Sequence, residues 1–164
     1  MRKILFVVAF FLLSAVSARD QNAEFFGGYS FEHLDQAGYG ANQNGWDLSV
    51  NYKIVKVAGI VGDFSKTYGS PPFGSTSLTS YLVGPQFSFP TPVSPFFHVM
   101  FGAGHTDIAG AGETSFATAI GGGVDVPVVP HVAIRAIQVD DIITRFASAT
   151  QNNPRISAGI VFRF

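Results

Sequence analysis

The chain has 164 residues, enough for one domain, and a formal net charge of −1 at neutral pH, which gives no footing for nucleic acid or for attraction to an anionic membrane surface. It has no Cys, so stability must come from the fold rather than from disulfides. Charged residues make up 13% of it, about half the ~25% of an average soluble domain, while aromatics reach 14% with seventeen Phe, too apolar for an ordinary secreted globule.

The first segment, "MRKILFVVAFFLLSAVSA", sets Arg2 and Lys3 before an apolar run from Ile4 to Leu13 and small residues up to Ala18. This is the layout of a secretory signal peptide, and it falls short of the ~20 apolar residues of a spanning helix. The expected organisation is a signal peptide over residues 1–18 and a single domain over 19–164. Without Arg2 and Lys3, eight Lys and Arg face eleven Asp and Glu, a net charge of −3. No later apolar run is long enough for a spanning helix, so membrane residence would require another architecture.

Period-two alternation, the mark of a strand with two different faces, predicts eight strands in the mature chain. Glu24 to Glu32 sets Phe25, Gly27, Tyr29 and Phe31 against Glu24, Phe26, Gly28, Ser30 and Glu32; Trp46 to Lys53 sets Trp46, Leu48, Val50 and Tyr52 against Asp47, Ser49, Asn51 and Lys53. Val57 to Ser65 opposes Ala58, Ile60, Gly62 and Phe64 to a face with Val61 and Asp63. Tyr81 to Phe89 opposes Tyr81, Val83, Pro85, Phe87 and Phe89 to Leu82, Gly84, Gln86 and Ser88, with Pro85 a weakness because it cannot donate to a ladder. Phe96 to Gly104 and Phe116 to Asp125 continue the pattern with Phe97, Val99, Phe101, then Phe116, Thr118 and Ile120 on the apolar face. The seventh strand, Val132 to about Gln138, opposes Val132, Ile134 and Ala136 to Ala133, Arg135 and Ile137, and "QVDD" breaks its alternation. Arg155 to Phe164 closes the series, with Ile156, Ala158, Ile160, Phe162 and Phe164 opposite Arg155, Ser157, Gly159, Val161 and Arg163.

Every Asp, Glu, Lys and Arg of these strands falls on the second face. That face is otherwise rich in Gly, Ala and Ser, as the narrow interior of an eight-stranded barrel requires and a water-exposed face does not. Connections alternate between short and long, with four long loops over 33–45, 66–80, 105–115 and 140–154. Aromatic residues of the apolar face gather near strand ends: Phe25, Tyr52, Phe89 and Phe97, with Phe162 and Phe164, at the short-turn end; Trp46 and Tyr81, with Phe31, Phe64 and Phe116, toward the long-loop end. These are placed as the two girdles that flank a lipid-facing band.

The signal peptide, the eight alternating strands, the alternating short and long connections and the terminal strand with Ile160, Phe162 and Phe164 together resemble the small OmpA-like and OmpX-like outer-membrane β-barrels, over the whole mature chain. The resemblance implies an all-β, eight-stranded antiparallel up-and-down transmembrane barrel in a Gram-negative outer membrane, with both termini periplasmic. It further implies a terminal strand recognised by the outer-membrane barrel assembly machinery, outer-membrane lipid as the surroundings, and a surface-binding or envelope role for a monomer. Unlike the larger OmpA-type proteins, the sequence has nothing after strand eight to bind peptidoglycan.

The charges expected in the lumen include Glu24, Asp47, Asp63, Arg135, Arg155 and Arg163, where burial demands pairing. Glu24 is expected to meet Arg163 across the closing strands, and Arg135 to meet Asp63. Such a lumen is either a structural plug or a narrow, low-conductance pore; too little room remains in eight strands to favour the pore. A soluble lipocalin-like barrel with the charged face outward is a third reading. His105, Asp107 and Glu113 share one loop but have no metal-ligand spacing, and "GGGVD" lacks the Lys and Ser/Thr of a phosphate loop. No cofactor is expected. The outward faces offer only Thr118 and tyrosines as hydroxyls, with no His beside them, so no catalytic residue is expected and the protein is read as a non-enzyme.

Overall fold

The computed structural model describes residues 22–36, 39–69, 75–108, 110–146 and 149–164; the expected signal peptide and cleavage site lie outside them. Eight strands follow in chain order: β1 (Ala23–Gln36), β2 (Tyr39–Val55), β3 (Ala58–Gly69), β4 (Thr76–Ser88), β5 (Ser94–Ile108), β6 (Ala111–Val129), β7 (Val132–Phe146) and β8 (Ala149–Arg163). Each pairs antiparallel with its neighbour and β8 returns to β1, closing the barrel. Closure removes the two open edges that a sheet would otherwise leave unsatisfied.

The short connections are tight. Lys56 and Val57 join β2 to β3, and Pro130 and His131 join β6 to β7. Between β4 and β5 the five-residue turn is braced by the Thr91 hydroxyl on the Val93 carbonyl and by Ser94 Oγ donating to Thr91 O at 2.9 Å. Pro85 stays within β4: the β4–β5 ladder has no bridge at Gly84 or Pro85 but holds one register on both sides of the gap.

At the other end the structure corrects the expected loops. The ladders continue to Gln36↔Tyr39, Gly69↔Thr76, Ile108↔Ala111 and Phe146↔Ala149, so most of 33–45, 66–80, 105–115 and 140–154 is strand. Four hairpins therefore extend beyond the alternating band. Polar residues do not break a strand whose backbone partner is already in register, and composition alone cannot distinguish such an extension from a loop. In the β5–β6 turn Gly110 takes φ +88°, a region that side-chain-bearing residues rarely enter, and its N–H donates to Asp107 Oδ1 at 3.1 Å.

Val57, expected on the inward face of the third strand, lies exposed in the β2–β3 turn, and within the paired strands the faces match the alternation except in β7. There Val124 pairs with Ile137 and Asp125 with Arg135, which leaves Ala136 as an extra residue. This bulge turns Ala136 and Ile137 outward together and reverses the phase beyond them, so Gln138, Asp140 and Ile142 point inward. Ile137, expected in the lumen, is on the outer surface, and the break at "QVDD" is this change of phase.

Small lumen residues are a matter of room. A Cβ added to Gly159 would lie 2.3 Å from Gly27 O, whereas one added to Gly62, on the outer face, would meet nothing within 4 Å. Gly159→Val is therefore expected to cost at least about 1–3 kcal/mol, while Gly62→Val stays within about 0.5 kcal/mol of the parent. The midpoint of the heat-dependent gel shift measures both.

Candidate functional site in the barrel lumen

The inward residues form a series of polar clusters along the barrel axis. At the short-turn end Glu24 accepts hydrogen bonds from Lys53 Nζ at 2.7 Å and Asn51 Nδ2 at 3.0 Å, and its Oε1 lies 3.1 Å from Arg163 Nε. Glu24 and Arg163 face each other directly in the β1–β8 ladder. A shallow vestibule of about 210 Å³ opens here between Glu24, Lys53, Asp125 and Arg163, bounded by Phe96.

Next along the axis is Arg135. Its Nε and one terminal nitrogen donate to the two oxygens of Asp125 at 2.8 and 3.2 Å, and the other donates to Gln138 Oε1 at 2.6 Å. The guanidinium lies between two rings, 4.3 Å from the centroid of Phe26 and 4.2 Å from that of Phe96, an arrangement that offsets part of the desolvation of a buried cation. The partner expected for Arg135, Asp63, is replaced by Asp125. Both lie on inward faces, but the β7 bulge aligns Arg135 with Asp125 on the adjacent strand.

Asp63 instead belongs to Arg155, the largest fully buried side chain of the barrel. Arg155 donates to Asp63 at 3.0 and 3.2 Å, to Asp140 at 2.7 and 3.1 Å and to Ser65 Oγ at 2.7 Å; Asp47 Oδ2 lies 3.8 Å away. Its planar fork of five N–H donors thus spans from β8 to β3 on one side and to β7 on the other. Gln138 Nε2 donates to Asp140 at 2.7 Å and links the Arg135 and Arg155 clusters, and His98 Nε2 shares a 2.7 Å hydrogen bond with Asp140. Toward the hairpin end Thr67 Oγ1 lies 2.8 Å from Glu32 Oε2 and 2.9 Å from Gln43 Oε1, beside the Ser65–Ser80 hydroxyl pair at 2.6 Å.

Apolar residues fill what the network leaves. Val61, Leu82, Met100, Ala117, Ala119 and Ile142 form one buried cluster, and Phe26, Ala133 and Val161 another. Sequence reasoning missed Asp140 and His98: Asp140 fell in an expected loop, and His98 was placed on the inward face without a partner. The resumed alternation Gln138–Asp140–Ile142–Thr144 carried the missing information.

The outer face is apolar over its central band. Of the expected girdle, Phe25, Tyr52, Phe89 and Phe97 are exposed toward the short-turn end with Phe162 and Phe164, and Ile160 shares that outer face of β8. Trp46 and Tyr81 flank Phe64, at 5.0 and 4.7 Å between ring centroids. Where the hairpins extend, charge reaches the outer face at Lys66, Asp107 and Asp141, which the sequence had assigned to loops. On the same rim His105 Nδ1 lies 2.7 Å from Thr114 Oγ1, a His–hydroxyl contact not foreseen from the sequence. Among the described residues no three His, Asp or Glu side chains converge on a metal-sized site.

No protein-family model matches the chain, and no curated protein matches it by sequence. Solved structures do match by shape. Neisserial surface protein A aligns with a TM-score of 0.71 at 16% identity, over 87% of this chain and 97% of that one. The fold is that of the small outer-membrane β-barrels. The attachment invasion locus protein Ail of Yersinia pestis aligns at TM-score 0.59 and 20% identity, over 85% and 97% of the two chains. The N-terminal barrel domain of Pseudomonas aeruginosa OprF aligns at 0.53 and 14%, over 88% and 98%.

Removing Arg155 leaves Asp63, Asp140 and Asp47 without their shared counter-charge inside this barrel. Arg155→Met is expected to destabilise by about 3–5 kcal/mol, read as a lower urea midpoint in detergent micelles. Arg155→Met with Asp63→Asn and Asp140→Asn recovers a large part of that loss, because fewer buried charges remain unpaired.

Proposed function

We propose that the chain is an integral outer-membrane protein whose lumen is a structural plug and whose work is done at the cell surface by its four extended hairpins. Arg155 carries this reading: wholly buried and bonded to β3 and β7 from β8, it occupies the middle of the lumen. Membrane residence is supported by the apolar outer band with its aromatic borders, surroundings that a soluble barrel would not tolerate. In this reading the mature chain is exported by its signal peptide and inserted by the barrel assembly machinery through β8, with Ile160, Phe162 and Phe164 facing lipid. It acts as a monomer and without catalysis. Ail has been solved with the heparin analogue sucrose octasulfate, which makes sulfated glycans a sensible first probe for the hairpins here.

Two measurements test it. On fractionation the protein is expected in the detergent-extracted outer membrane with a heat-dependent gel shift; recovery in the soluble periplasm would overturn the membrane reading in favour of a soluble binding barrel. In planar bilayers the parent protein is expected to give no steady conductance. A steady conductance that Arg135→Ala alters would replace the plug with a narrow pore.

A further inference from the structure

The outer surface across β2 to β6 is not uniform. Three rows of outward residues run side by side there, set by the ladder register. The row nearest the hairpins is polar: Lys66, Thr79, His105 and Thr114 stand in line beyond Trp46. The middle row is Leu48, Phe64, Tyr81, Ala103 and Phe116, and the third is Val50, Gly62, Val83, Phe101 and Thr118. Because Gly62 has no side chain, the third row has a gap. A groove of about 410 Å³ opens over it, walled by Leu48, Val50, Phe64, Tyr81, Val83 and Phe101 and almost wholly apolar. A second recess, lined by Lys66, Thr79, His105 and Thr114, adjoins the first across Phe64 and Tyr81, which border both.

We propose that this paired recess binds one anionic lipid, an acyl chain lying in the Gly62 groove and a net-negative phosphate headgroup held by Lys66, His105 and the hydroxyls of Thr79 and Thr114. The chemistry of each half fits. Water finds no partners in the groove, and the two recesses follow one another along the barrel axis, as chain and headgroup do in a lipid. Lys66 has no carboxylate partner among the described residues; its ammonium lies 5.3 Å from the Tyr68 ring centroid, half-buried beside the polar recess. The nearby carboxylate on this face, Asp107, is turned to the β5–β6 turn, where it accepts the Gly110 N–H. His105 is braced from the side by Thr114.

The inference rests on the outer band lying in lipid, and the experiment separates the two. Trp46 is the chain's single Trp and packs against Phe64 at the edge of the groove, so its fluorescence reports lipid there. The full barrel is reconstituted in phosphatidylcholine vesicles carrying a minor fraction of chain-brominated lipid, either phosphatidylglycerol or phosphatidylcholine. Brominated phosphatidylglycerol is expected to quench Trp46 at about fivefold lower mole fraction than brominated phosphatidylcholine, the preference one lysine gives at a membrane surface. Lys66→Gln should erase that preference while leaving quenching by phosphatidylcholine. Gly62→Phe, whose Cβ meets nothing within 4 Å and whose ring fills the groove from the outer face, should weaken quenching by both. Equal quenching by the two lipids in the parent, or a preference that survives Lys66→Gln, would overturn the site. Unchanged quenching in Gly62→Phe would remove the groove from it. No quenching by either lipid would overturn membrane residence itself, and the site with it.

Discussion

Nine residue pairs join β1 to β8, from Glu24↔Arg163 to Glu32↔Arg155, and everything else in the barrel depends on that seam. In hydrocarbon an unpaired backbone N–H or C=O costs several kcal/mol, about as much as a domain can lose. A closed ladder is the way a sheet avoids it. Closure at eight strands then fixes the bore, and the bore fixes the chemistry of the interior: large side chains fit only where glycines and alanines stand opposite, and charges fit only if they are bonded to one another.

The two faces obey opposite rules for that reason. Inside, five carboxylates, Glu24, Asp47, Asp63, Asp125 and Asp140, are met by Lys53 and three arginines, Glu32 accepts from the Thr67 hydroxyl, and neutral groups such as Gln138, Asn51 and Ser65 add further bonds. Outside, the band tolerates Leu, Val and Phe at high exposure and admits charged groups only where the hairpins rise past it. A lumen blocked across its middle by Arg155 and its acceptors leaves the outer surface and the hairpins as the places where the molecule can meet anything else.

Much of this was legible in the alternation. Seven strands show their faces plainly because each keeps one phase across the apolar band, and Glu24 with Arg163 follows from closure alone. One part of what the sequence concealed traces to a single residue. Ala136 has no feature that marks it as a bulge, yet it shifts every later residue of β7 to the opposite face, hides Asp140 in an apparent loop and gives Arg135 a neighbouring partner in Asp125. The hairpin extensions were hidden for a different reason. A polar strand beyond the apolar band has no hydrophobic period, and only the register inherited from the paired band keeps it extended. Side-chain pairing across the bore, as between Arg155 and Asp63, is set by the barrel's stagger, which no local pattern encodes.

Most contacts in this barrel are between strands adjacent in the chain, which can form early and cheaply as hairpins. The Arg155–Asp63 bond is different: it spans 92 residues of chain, and its donor arrives on the last strand. Loop-closure entropy makes such contacts late. Until β8 arrives, Asp63 and Asp140 lack the cation they share, and a barrel that curled shut without it would bring their charges toward one another unneutralised. A sheet that closed with a strand missing, or slipped by one residue, would set Arg155 away from its acceptors or turn it toward lipid. The guanidinium thus acts as a proofreading device for strand count and register, holding together a barrel only when all eight strands have found their places.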